Sequence, residues 1–123
     1  MKSILSFFIV SFISLTAYSA PGNPIEAVTI IETKTVTVTT DAINTSLFIT
    51  ASFDENSQRF EFNTGKEIQF VQIFDNENKL VMQLPTNSKN VKLGLSLFDK
   101  GEYKLGFIVL GQKDIQFTDV SVK

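Results

Sequence analysis

The sequence predicts an all-β domain built from two packed antiparallel layers. Three observations lead there. β-Branched and aromatic residues recur at every second position in one segment after another, the period of a strand with one buried face. Polar and glycine-bearing clusters interrupt these segments at intervals of roughly eight to twelve residues, as in hairpin-linked strands. No segment keeps helical spacing over three turns. At 123 residues, the chain has room for one domain at roughly 100 to 200 residues each.

From Val28 to Thr39 nearly every position is β-branched, which favours an extended strand. Alternation puts Val36 and Val38 towards the core, with Thr33, Thr35, Thr37 and Thr39 on the opposite side. Ser46 to Phe53 groups Leu47, Ile49, Ala51 and Phe53 on one face, and Asp54-Glu55-Asn56-Ser57 then turns the chain. Phe60 and Phe62 share a face of the next strand. Glu67–Phe74 and Lys79–Leu84 form a central hairpin through Asp75-Asn76-Glu77-Asn78. Within it the apolar phase moves from Ile68 and Phe70 to Val71 and Ile73, so either a bulge sits near Phe70-Val71 or the strand is covered on both faces.

Between Asn90 and Phe98, alternation points Val91, Leu93, Leu95 and Leu97 one way. Burying four such side chains contributes roughly 6 to 12 kcal/mol, at about 1.5 to 3 each, so a one-residue slip is heavily penalised. Asp99-Lys100-Gly101 turns the chain into an inward row of Tyr103, Leu105, Phe107 and Val109. The last strand offers Ile115, Phe117, Val120 and Val122, with a phase change after Phe117 that predicts a second irregularity. The count is seven to eight strands with short connections, and the best description is an immunoglobulin-like antiparallel β-sandwich, with a small closed barrel as the alternative.

Ahead of this domain, Met1-Lys2 is a positive start, Ile4 to Leu15 an apolar run broken only by serines, and Ala17, Ser19 and Ala20 are small. This is the three-part plan of a secretory signal peptide. Its apolar run is about 12 residues, against roughly 20 needed to span a bilayer. The expected organisation is a signal peptide at 1–19, a tether at 20–25 and the sandwich domain at 26–123, in a product that is secreted or held in the periplasm or cell envelope. The chain has no Cys and no His. Disulfide frameworks, Cys/His zinc sites and triad or thiol catalysis are therefore closed to it. Arg59 is the only arginine, and the basic footprint of a nucleic-acid binder is missing.

The run Ile68-Gln69-Phe70-Val71-Gln72-Ile73-Phe74-Asp75-Asn76-Glu77-Asn78-Lys79-Leu80-Val81, followed by a polar stretch, an alternating strand, and Phe98-Asp99-Lys100-Gly101-Glu102-Tyr103, carries a family resemblance. It resembles the small secreted immunoglobulin-like proteins of unknown function from Bacteroidetes. The half from Glu67 to Lys123 is also similar to the C-terminal sorting domains of type IX secretion. The resemblance implies a β-sandwich and brings no catalytic residues. Asn78 stands where these families commonly place a hairpin glycine, and Asn also adopts the left-handed conformation.

Candidate sites each have a plainer reading. Tyr103 suits a tyrosine corner, its hydroxyl bonding a backbone carbonyl across a loop. Asp75, Asn76, Glu77 and Asn78, like Asp54, Glu55 and Asn56, gather the hard oxygens calcium prefers, yet polar turns are the norm in β proteins. Thr33, Thr35, Thr37 and Thr39 form a single row that reads as a solvent-facing edge. Asn44-Thr45-Ser46 fits a glycosylation sequon. Nothing in the spacing of Glu61, Glu67, Asp99, Glu102 and Asp114 selects a catalytic pair. The nine Phe after residue 19 read mostly as core. No catalytic, cofactor-binding or metal residue is assigned, and no cofactor. The function expected is a non-enzymatic binding or accessory module whose loops or sheet edge contact a protein or glycan. The alternatives are a sorting-type domain and a carboxylate-dependent or calcium-binding protein.

Overall fold

The computed structural model describes residues 26–123; the signal peptide and tether expected at 1–25 lie outside the described residues. Seven strands form: β1 Ala27–Glu32, β2 Val36–Asp41, β3 Phe48–Asp54, β4 Arg59–Phe74, β5 Leu80–Gly94, β6 Gly101–Val109 and β7 Gln116–Val122. Every pairing is antiparallel, in the order β1-β2-β7-β6-β4-β3 with β5 on the other side of β4. The all-β antiparallel fold of seven to eight strands is therefore what the chain adopts. Its layers are parts of one continuous, barrel-like sheet. Among the described residues no helix is long and apolar enough to cross a membrane.

One strand makes both layers. The first half of β4 pairs with β3 and the end of β5, while its second half pairs with β6 and the start of β5. Val71 is opposite Phe107 of β6, and Phe62 precedes Val71 by nine residues, about 30 Å along a straight strand. Yet the Phe62 and Phe107 rings meet edge-on with centroids 5.4 Å apart. So β4 must bend sharply and lay its first half across its second. The bend is at Thr64–Glu67, where four residues of β4 are matched by one of β5 between the Asn63↔Asn90 and Ile68↔Ser88 pairs.

The broken ladder leaves carbonyls that need donors, and hydroxyls supply them. Thr64 is buried, with Oγ1 2.7 Å from the Lys66 carbonyl and 3.2 Å from that of Lys89. Thr86 Oγ1 donates to the Ile68 carbonyl at 2.6 Å, and Ser88 Oγ donates to the Asn90 carbonyl at 3.2 Å while accepting from the Asn90 amide at 2.9 Å. Just beyond the corner, Gln69 is the extra residue between Ile68↔Val109 and Phe70↔Ile108. This bulge lets Ile68 and Val71 both face inward, resolving the phase change in the sequence.

Between the layers lies an apolar core of Val36, Val38, Phe53, Phe60, Phe62, Ile68, Val71, Ile73, Val91, Leu93, Leu105, Phe107, Val109 and Val120, with neighbours. Its rings form a connected series: Phe107 to Phe62, Phe62 to Phe60, Phe60 to Phe53 and Phe98, and Phe98 to Tyr103. Offset and edge-on contacts of this kind add about 0.5 to 1.5 kcal/mol each beyond burial.

Several expectations are corrected. Val28–Thr39 is a hairpin, because Thr33 Oγ1 accepts from the amides of Thr35 and Val36 at 3.1 and 3.0 Å and so offers the backbone a turn. Only Thr37 and Thr39 of the threonine row remain on a strand. Ile49 is 69% exposed, being an extra residue between Phe48↔Thr64 and Thr50↔Asn63. Leu95 and Leu97 lie in a short 3-10 turn after β5 and are half-buried. Ile115 and Phe117 face outward, and β7 runs without irregularity because Thr118 takes the inward position in phase with Val120 and Val122.

Thr64→Val keeps the side-chain shape and removes the donor. Urea denaturation should show stability lowered by about 1 to 2 kcal/mol with m unchanged. An unshifted midpoint would show that packing alone holds the corner.

Candidate functional site

Residues directly paired across strands point to the same face. On the outside of the larger layer this sets up three rows: Leu80, Phe74, Lys104 and Asp119; then Gln83, Gln72, Gly106 and Phe117; then Pro85, Phe70 and Ile108. Around Gly106 the surface is mostly apolar, while towards β2 the same face carries Thr39 and a polar row of Glu102, Ser121 and Thr37. Phe74 and Phe117 meet edge-on at 5.9 Å, and Lys104 Nζ stands 5.8 Å from the Phe117 centroid. Gly106 makes this closure feasible: a Cβ there would lie 2.9 Å from Ile115 Cγ2, 3.2 Å from Phe117 Cε1 and 3.4 Å from Phe74 Cε1. The rings and Ile115 thus fold over bare backbone. Beneath them the buried Thr40 hydroxyl donates to the Phe117 carbonyl at 3.2 Å, fixing the strand that carries the ring.

Much of this cluster stays open to water. Phe117 is 39% exposed, Ile115 36%, Leu80 52% and Val81 50%. Single exposed apolar side chains are ordinary; here several adjoin one another on one face. The outside of the smaller layer contrasts with it. There Thr50, Asn63 and Asn90 form one row and Ser52, Glu61 and Lys92 the next. Asn90 Nδ2 donates to Glu61 Oε2 at 2.7 Å and to Asn63 Oδ1 at 2.5 Å, and Asn63 Nδ2 to Thr50 Oγ1 at 2.7 Å. These polar groups satisfy one another.

The turns use their oxygens locally. Asp75 Oδ1 accepts from the amides of Glu77 and Lys79 at 2.8 and 3.0 Å, and Asn78 takes the left-handed conformation at φ 64°. Hydrogen bonds from the Lys79 and Glu77 amides, with help from the Lys79 charge, hold the Asp75 carboxyl below its ordinary pKa. Asp54 is lowered too, chiefly by the Asn56 amide, whose bond to Oδ1 is 2.9 Å. Among the described residues no group of three or more acidic side chains gathers as a metal would require. Glu61 sits on β4, Glu67 at its corner, Glu102 on β6, and Asp99 and Asp114 in separate turns. The Tyr103 hydroxyl accepts from the Asp99 amide at 2.9 Å; it ties the turn before β6 through an N–H, where a carbonyl partner was expected. In the sequon, Thr45 Oγ1 donates to the Ala42 carbonyl at 2.7 Å inside a 3-10 helix.

The outward aromatic pair is the part that sequence reasoning missed. Two signals pointed to it. Thr118, Val120 and Val122 share a phase that excludes Phe117, and Gly106 between Leu105 and Phe107 leaves a gap on the outer face. No protein-family model matches the chain, and no curated protein matches it.

A carboxylate whose pKa falls on folding contributes stability that is present above its unfolded value and is lost as pH drops through its folded value. Thermal midpoints should therefore fall as pH drops below about 4. Asp75→Asn, which keeps the acceptor oxygen, should flatten that fall. An identical pH profile in parent and variant would contradict the assigned role of the charge.

Proposed function

We propose that the protein is an exported, non-enzymatic binding module that contacts another protein through the outer face of β4, β5, β6 and β7. The observation that carries this reading is the contiguous, half-exposed group Phe74, Leu80, Val81, Ile115 and Phe117. It sits on a paired sheet, and the outer face of the smaller layer, with Thr50, Asn63, Asn90, Ser52, Glu61 and Lys92, is polar. Aromatic and aliphatic anchors of this kind supply most of the binding energy in protein interfaces. The face favours a protein over a glycan. Its polar pair, Gln72 and Gln83, is already joined at 2.7 Å, leaving few free donors beside the rings for sugar hydroxyls. Export rests on the Met1–Ala20 pattern. A non-enzymatic role is supported by a chain without His or Cys and by acidic side chains spread over separate elements.

Affinity capture from envelope and culture fractions tests this reading when parent and Phe117→Lys are compared. Phe117 lies outside the core, so the variant should keep the parent's circular dichroism. The account expects a partner retained by the parent and reduced at least tenfold with the variant, the loss of about 1.4 kcal/mol or more. A partner held equally by both would move the binding surface elsewhere.

A further inference from the structure

Among the described residues three strands are paired along one side alone, β1 with β2, β3 with β4 and β5 with β4, and β1 and β3 approach one another without pairing. Free edges invite pairing with another chain. Each carries at least one extra residue that its partner strand does not match. In β1 it is Ile30, between Thr29↔Thr39 and Ile31↔Val38. In β3 it is Ile49, between Phe48↔Thr64 and Thr50↔Asn63. In β5 it is Val81, between Leu80↔Phe74 and Met82↔Ile73. β2, β6 and β7 carry no such insertion in the ladders they share. β5 is further interrupted by Pro85, which lacks an N–H, and by Asn87 at φ 45°.

We propose that Ile30, Ile49 and Val81 are edge guards: single-residue bulges that twist each free edge so that a second copy of this chain cannot add to it strand by strand. A bulge displaces the outward N–H and C=O groups from the straight row that a new strand would need. Each of the three edge strands has a bulge residue of its own, whereas among the interior strands the insertions are confined to β4, at the corner Thr64–Glu67 and at Gln69 beside it. Two of the three side chains contribute little to the core, with Ile49 and Val81 half or more exposed. This inference concerns the rims of the sheet: Val81 also borders the outer-face group, whereas Ile30 and Ile49 lie on other strands, so the Ile49 deletion tests it apart from the binding reading.

Removing one residue from a strand ordinarily turns every later side chain to the wrong face. Removing a bulge residue does not, because the flanking pairs are already in phase. Deletion of Ile49, and separately of Val81, should leave the circular dichroism and near-parental melting of the folded protein, whereas deletion of Ala51 from the regular part of β3 should unfold it. The two bulge deletions should also shift sedimentation towards dimers and larger species, with added thioflavin T fluorescence, at concentrations where the parent shows neither. Folded deletions that associate no more than the parent would overturn the guarding role. Bulge deletions that unfold as completely as the Ala51 deletion would overturn the register argument on which it stands.

Discussion

The contact on which the structure depends is the edge-on meeting of Phe62 and Phe107. These rings belong to strands that would be far apart in a flat sheet, and they touch only because β4 turns back over itself. With no cysteine in the chain, no covalent link holds the layers. Burial of the ring series and its aliphatic neighbours must do so, at about 25 cal/mol per Å² of apolar surface removed from water. The bend itself costs ladder hydrogen bonds, and the side-chain hydroxyls of Thr64, Thr86 and Ser88 replace them where they are lost.

That bend sorts the surfaces. Folding one sheet over hides a single face of each half and leaves two outer faces of opposite character. The smaller is polar and internally hydrogen-bonded, the larger apolar around Gly106. The difference arises from a few positions. A glycine between two core residues opens space on the outside of β6, and Phe74, Ile115 and Phe117 fill it from three elements. At the rims, added residues in β1, β3 and β5 leave the side chains on either side of them in phase with the core.

Most of the architecture was legible in the alternation of apolar residues. Val36 and Val38, Phe60 and Phe62, Val91 and Leu93, and Leu105, Phe107 and Val109 all point inward as their period requires. The bulge in β4 showed itself as a shift of phase. What the sequence hid were places where a local hydrogen bond or an inserted residue overrides the period: Thr33, whose hydroxyl makes a turn in a run that reads as strand, and Ile49, whose bulge turns an apolar side chain to solvent. The outward face was hidden for a different reason. Hydrophobicity alone assigns Phe117 to a core, and only the polar-looking Thr118 beside it, buried in fact, reveals the true phase. The bend at Thr64–Glu67 has no period of its own, and only the pairing on either side of it shows that one strand serves two layers.

A double-mutant cycle of Phe62→Leu and Phe107→Leu tests the folded-back strand most directly. In an unbent sheet Phe107, opposite Val71, would stand nine residues of β4 away from Phe62 and the two would behave independently, whereas rings in edge-on contact are coupled. The account predicts a coupling of about 0.5 to 1.5 kcal/mol in equilibrium unfolding. Stability losses that add to within about 0.3 kcal/mol would contradict it.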